Sequence, residues 1–180
     1  MQIVTARARP DLVDQLCLKA SAGSKRRAQE RLFRLDWEDR PETLKWQLAK
    51  GNLALPGAEY LMLVDGMGLP VCGAGYYRHP TFTVYTQPVT VAMVRMWTAP
   101  EWRVQWLGTL LLKASLMDIE TDLVVLTFNE SNRGLHTSLT EKRLGLAWPP
   151  IWGAFTDLGL RYINSVWQWC AVAHRNNLLA

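Results

Sequence analysis

Residues 100–112 read PEWRVQWLGTLLL. A proline opens the run, an arginine follows at 103, a lone glycine stands at 108, and leucines close it. That order describes a turn feeding a helix. Leu107, Leu110, Leu111 and Ala114 recur at i, i+3, i+4 and i+7, which predicts one buried stripe. Just upstream, VTVAMVRMWT (89–98) is apolar on both faces, as a central strand is. A strand–turn–helix leaves backbone N–H groups at the helix start without internal partners, at the positive end of the helix dipole. Such a start holds anions, and the forked Arg103 guanidinium suits a phosphate. Trp106 is the discordant residue, because a phosphate cradle wants no side chain there.

Outward from this unit, the periodicity changes along the chain. MQIVTARA (1–8) alternates and reads as a first strand. Pro10 and Asp11 open a helix with Leu12, Leu16 and Ala20 on one stripe. Residues 21–51 are highly charged, mostly helical and broken at Pro41, with Lys25, Arg26 and Arg27 forming a basic cluster or simply a solvated face. After Gly51 the period becomes two. AEYLMLVDG and VCGAGYYRH form a hairpin across the turn DGMGLP, and PTFTVYTQP reads as a loop or short strand. DLVVLTFNESN is a second central strand, RGLHTSLTEKRLG a helix ending at Gly145, LAWPPIWGAF a rigid turn, LRYINSVWQWCAVAH a last strand and RNNLLA a tail. Arg95 shares a face with Val91, Met93 and Trp97 by strict alternation, so it pairs with a structural partner or binds an anionic group. This order predicts an α/β (α+β) fold, one mixed central sheet flanked by helices, in a single domain over residues 1–180. The unit over 89–128 should be a right-handed parallel crossover.

Bulk properties narrow the partners. The 180 residues are 49% apolar, enough for a sizeable core, and the formal charge of +4 favours an anionic partner without choosing one. Three scattered cysteines, Cys17, Cys72 and Cys170, contain no C-x-x-C pair, which argues against a zinc site and a disulfide framework and fits a reducing cytoplasm. No signal-peptide pattern and no apolar run of about 18 residues is present, so no membrane partner is expected. Nine tryptophans either fill core and interface or line a site for a flat group, with Trp148 and Trp152 beside two prolines the better candidates for the second role. No H-E-x-x-H, G-x-S-x-G or Walker A pattern occurs, and no metal ligand set is suggested.

The stretch MWTAPEWRVQWLGTLLL (96–112) resembles the acetyl-CoA-binding motif of the GNAT acyltransferase superfamily, which reads roughly L-x-V-x-P-E-Y-R-G-x-G-I-G-x-x-L-L. Met96, Thr98, Pro100, Glu101, Trp102, Arg103, Leu107, Gly108, Leu111 and Leu112 fall at corresponding places without a gap. LTFNESNRGLHTSLTEKRLGL (126–146) is similar to the family's next strand and helix, with Asn132 where an Asn commonly follows the strand. The resemblance covers about residues 60–146, and the remainder by element order. It implies a bound acetyl-CoA, or another acyl-CoA, as co-substrate. The pyrophosphate would lie on backbone N–H groups of Arg103, Val104, Gln105, Trp106, Leu107, Gly108 and Thr109. The pantetheine arm would pair beside Met96, Trp97 and Thr98, in a splay between the two central strands. The implied reaction is direct attack of a primary amine, on a small molecule or a macromolecule, on the thioester. Three positions depart from the pattern: Val104 and Trp106 replace glycines, and Thr140 stands where the family often has a tyrosine acid.

Three groups are candidates for the acid–base chemistry: Glu130 at the end of the second central strand, His136 about a turn from Thr140 with Ser138 beside it, and Tyr77 in the cluster Tyr76-Tyr77-Arg78-His79. Two rival readings of the same fold stand beside the N-acyltransferase. One is a nucleic-acid modifier, of the kind that acts on phage DNA bases, which the basic charge permits. The other is a degenerate, non-catalytic binding module, which Trp106 and Thr140 favour.

Overall fold

The computed structural model describes residues 1–30 and 55–180, except for the side chains of residues 21–30. The side chains of the basic cluster Lys25, Arg26 and Arg27, and the break at Pro41, lie outside the described residues.

Apolar alternation builds the centre. Strand β1 (Gln2–Thr5) leads into helix α1 (Pro10–Glu30), and β2 (Glu59–Val64) pairs antiparallel with β1. In β2 every second residue faces the same way: Tyr60, Met62 and Val64 join Leu12 and Leu16 of α1, while Leu61 and Leu63 join the opposite core. Strand β3 (Pro70–Val84) returns from a turn in which Asp65 Oδ1 accepts the N–H groups of Met67 and Leu69. It continues through the segment expected to be a loop or short strand, and a tight turn at Tyr85 and Thr86, both at positive φ, delivers β4 (Gln87–Thr98).

Helix α2 (Leu107–Leu116) follows β4, and β5 (Leu123–Phe128) runs parallel to β4. Helix α3 (Arg133–Thr140) ends five residues before the expected Gly145; Lys142 takes a positive φ there, and its ammonium donates to the carbonyls of Gly153 and Phe155. The expected single last strand is a hairpin, β6 (Thr156–Ile163) and β7 (Val166–His174), turned by Asn164 and Ser165 at positive φ. The tail is a short helix, α4 (Arg175–Leu179), with Leu178 buried. The sheet order is β1-β2-β3-β4-β5-β7-β6, mixed, with β4–β5 its parallel pair.

Helices α2 and α3 cover one face, where Leu107, Leu111, Leu112 and Leu116 meet Val124, Leu126 and Phe128. The buried side of α2 also takes in Gly108 and Ser115, whereas Leu110, expected in the stripe, is exposed. The other face is shared by α1 and by the β6–β7 arm, whose Leu158 and Ile163 pack on Val89, Leu123 and Val125. Among the described residues no helix is long and apolar enough to cross a membrane.

Candidate functional site: a splay between the two central strands

The parallel pairing of β4 and β5 is short. It joins Val89 to Leu123, Thr90 to Val124 and Val91 to Val125, and stops there. Beyond that row, β5 pairs only with β7, through Leu126, Thr127 and Phe128, and β4 only with β3. The cause lies in β4 itself. Met93 and Arg95 sit at positive φ, at +58° and +52°, and the β3–β4 register slips twice near them. These bulges twist the strand away from its parallel neighbour. They also break the alternation expected for this strand: Met93 packs with the α2 core, on the face opposite Val91, and Arg95 is exposed.

The bulge is held from the far side. Gly73 and Gly75 leave the surface of β3 bare, so the Tyr60 ring crosses it and its hydroxyl donates to the Arg95 carbonyl at 2.9 Å. A Cβ on Gly73 would meet Tyr60 and Leu16 at 2.7 Å.

After β4, Pro100–Trp102 makes one turn of 3-10 helix. Arg103 then folds back and its Nε donates to the Thr98 carbonyl at 3.1 Å. Val104 (φ +59°) and Trp106 (φ +56°) both adopt left-handed backbone, at the two places where the motif has glycine. The glycine conformation therefore persists without glycine. Trp106 swings its indole onto Trp148, with ring centroids 4.7 Å apart. Trp152, from the same later turn, donates from Nε1 to Thr109 Oγ1 at 2.9 Å. No side chain caps the start of α2, and the Thr109 N–H bonds back to the Trp106 carbonyl. The Gly108 surface faces the side chains of Met93 and Met96, which brings the helix start against β4.

The sequence candidates divide. Met96, Thr98, the loop and the α2 start come together beside the splay, through Gly108 against Met96 and Arg103 on the Thr98 carbonyl, whereas the Trp97 side chain packs with the α1 cluster. Thr98 also meets buried Cys72, Oγ1 to Sγ 3.2 Å, and burial pushes that thiol up. Glu130 and Asn132 stand just past the end of β5 in a 3-10 turn that Asn129 caps, its Oδ1 accepting the Asn132 N–H. Glu130 accepts from Trp169 Nε1 at 2.9 Å and lies 3.4 Å from Arg133, whose guanidinium stacks 4.2 Å over the Trp169 ring. The Trp169 hydrogen bond and then Arg133 hold the Glu130 carboxyl below its usual range.

His136 lies elsewhere. It is buried under β7, with Nε2 3.1 Å from both the Cys170 carbonyl and Asp157 Oδ1 and its ring against Phe128 and Trp169. That nitrogen is committed to the irregular β6–β7 pairing near Gly159. The hydroxyls of Ser138 and Thr140 donate to the carbonyls of Gly134 and His136, one turn back. Tyr77 is buried on the opposite face beside Val91 and accepts from Asn164 Nδ2. Asn164 was not singled out by sequence; the Asn-Ser pair between apolar runs was its signal, as a hairpin turn. A groove of about 290 Å³ between Pro56, His79 and Pro88 lies at the far end of β3 and β4, away from the splay. No cluster of metal-ligating side chains occurs among the described residues.

No protein-family model matches the sequence, and no curated protein matches it. Solved structures do resemble it. A GNAT-family acetyltransferase from Streptococcus agalactiae superposes with a TM-score of 0.62 at 12% identity, over 96% of this chain and 94% of that one. An N-acyl amino acid synthase from uncultured soil microbes gives 0.57 at 8%, over 99% and 97%. A mutant spermidine N-acetyltransferase from Vibrio cholerae gives 0.53 at 11%, over 99% and 98%. Identities this low speak to architecture alone, and on architecture they agree: the chain has the GNAT fold.

Proposed function

We propose that the chain is an N-acyltransferase that moves an acetyl or related acyl group from coenzyme A to a primary amine by direct attack. The carrying observation is the splay: β4 and β5 part after Val91 and Val125 directly beside the uncapped start of α2. An extended arm would lie along β4 at Met96, Trp97 and Thr98. The pyrophosphate would rest on the backbone N–H groups of Val104, Gln105, Trp106, Leu107 and Gly108, with Asn132 at the end of the neighbouring strand; the N–H groups of Arg103 and Thr109 are already bonded to the Pro100 and Trp106 carbonyls. The left-handed backbone at Val104 and Trp106 supports this loop geometry, and the turn of Trp106 toward Trp148 takes its indole aside.

Glu130 is the carboxylate nearest the end of β5. Held below its usual range, it stays ionised, which suits drawing in a cationic amine and passing a proton through water better than acting as a strong base. The engagement of His136 Nε2 gives that residue a packing role. The neighbours described as a spermidine N-acetyltransferase and an N-acyl amino acid synthase support a small-molecule amine as acceptor.

A second reading has its own support. The hydroxyls of Ser138 and Thr140 are both spent within α3, so the usual acid position is silent, as in a non-catalytic binding module of this fold. Thiol release from acetyl-CoA, measured against a panel of primary amines, separates the two. Amine-dependent release supports the transferase; binding of acetyl-CoA without release across the panel supports the binding module.

A further inference from the structure

The hydrogen bonds around Asn164 determine where the Tyr77 proton goes. His79 is buried, and its Nδ1 accepts backbone N–H groups from Phe82 at 2.8 Å and Thr81 at 3.2 Å. An Nδ1 that accepts leaves the ring proton on Nε2. Nε2 lies 3.0 Å from the Asn164 amide, so the atom there is the acceptor Oδ1. The other end of that amide is then Nδ2, which donates to Tyr77 Oη at 2.5 Å. Backbone geometry thus fixes both the histidine tautomer and the amide orientation. Tyr77 receives a hydrogen bond, and its own O–H has no acceptor among the described residues. A buried donor left unspent is costly unless something arrives to receive it.

Its position gives that donor a target. Tyr77 pairs with Val91, and Val91 with Val125, in the last row before β4 and β5 separate. Asn164 belongs to the turn of the β6–β7 arm, yet bonds to β3, so the arm crosses the face of β4 and β5 at their point of parting. We propose that Tyr77 is the hydrogen-bond donor to the acyl carbonyl oxygen at the apex of the splay, and that Asn164 and His79 are positioning residues that aim it. This rests on the acyl-coenzyme A reading.

In the reaction, the amine nitrogen bonds to the carbonyl carbon and negative charge gathers on the oxygen. The carbon–sulfur bond then breaks, and sulfur leaves with the electron pair. The amine nitrogen gives one proton to water and the thiolate takes one from water. Tyr77 keeps its proton throughout and offers a hydrogen bond that strengthens as charge develops. Burial pushes its phenol up from the usual range, which keeps it a donor rather than a base.

Infrared difference spectroscopy of the full chain with acetyl-CoA, isotopically labelled at the thioester carbonyl, reads that bond without needing an acceptor. The wild type should lower the carbonyl stretch relative to the free thioester. Tyr77→Phe should return it to the free position while binding is retained. Asn164→Asp, which tolerates the turn but offers an oxygen to the phenol, should turn the proton inward and lose the shift with Tyr77 intact. His79→Gln, whose amide N–H replaces Nε2–H, should keep the shift that His79→Leu weakens. A bound thioester whose stretch is the same in wild type, Tyr77→Phe and Asn164→Asp would overturn the proposal. Absence of acetyl-CoA binding would instead overturn the reading beneath it, and the proposal with it.

Discussion

Val104 carries the plainest local cost in the molecule. It is a β-branched residue at φ +59°, 94% exposed, with no packing to repay the conformation. Left-handed backbone costs an ordinary residue roughly 1–2 kcal/mol, and asparagine is one of the few that tolerates it. Val104→Asn should therefore stabilise the protein by about 1 kcal/mol, raising the melting temperature by roughly 2–4 °C. An unchanged or lower melting temperature would show that the loop does not hold this backbone. Glu130 offers a second test. Its carboxyl is held low by the Trp169 N–H first and Arg133 next, so its contribution is present above the ordinary carboxylate range and lost as pH falls through it. Trp169→Phe should raise the Glu130 pKa toward its ordinary value in an NMR titration, and the pH-dependent part of its stability deficit should shrink in acid. An unmoved titration would place Trp169 elsewhere.

At the scale of elements, the strands, α2 and its turn were legible because their apolar periods are long and unmixed. The bulge in β4 was not. Alternation assumes a flat strand, and the positive φ of Met93 and Arg95 that breaks it depends on Tyr60, a partner from β2, 35 residues earlier. The β6–β7 turn hid inside LRYINSVWQWCAVAH because apolar residues flank Asn164 and Ser165 on both sides. Of the candidate site residues, those on the β4–α2 loop came together because one continuous stretch supplies them. His136 failed to join them because helix phase turned it toward the Cys170 carbonyl, a contact between distant parts of the chain that periodicity does not encode. The Tyr60 strut is testable. Gly73→Ala would place a methyl 2.7 Å from Tyr60 and Leu16, inside packed core, and should cost about 2 kcal/mol in a urea titration. Gly108→Ala, whose methyl would meet the flexible end of half-exposed Met96, should cost less than about 1 kcal/mol. The reverse order would mean the helix start, not Tyr60, sets the spacing at β4.

At the scale of the whole molecule, the sheet is arranged to open in one place. Its parallel pair parts after three rows, α2 begins beside the opening, and the β6–β7 arm closes the opposite face. Free backbone donors at the helix start, left-handed backbone on the loop and an aromatic wall from Trp106 and Trp148 all border that opening. The buried thiols of Cys17, Cys72 and Cys170 form no disulfide; Cys72 touches Thr98 beside the opening, and burial pushes the Cys170 thiol up to about 12. The central claim is that the opening accepts the coenzyme A arm. Calorimetric titration of the full chain with acetyl-CoA tests it most directly. The account predicts one-to-one binding that Arg103→Ala weakens more than Lys25→Ala does. No heat and no thermal shift at millimolar acetyl-CoA would contradict it.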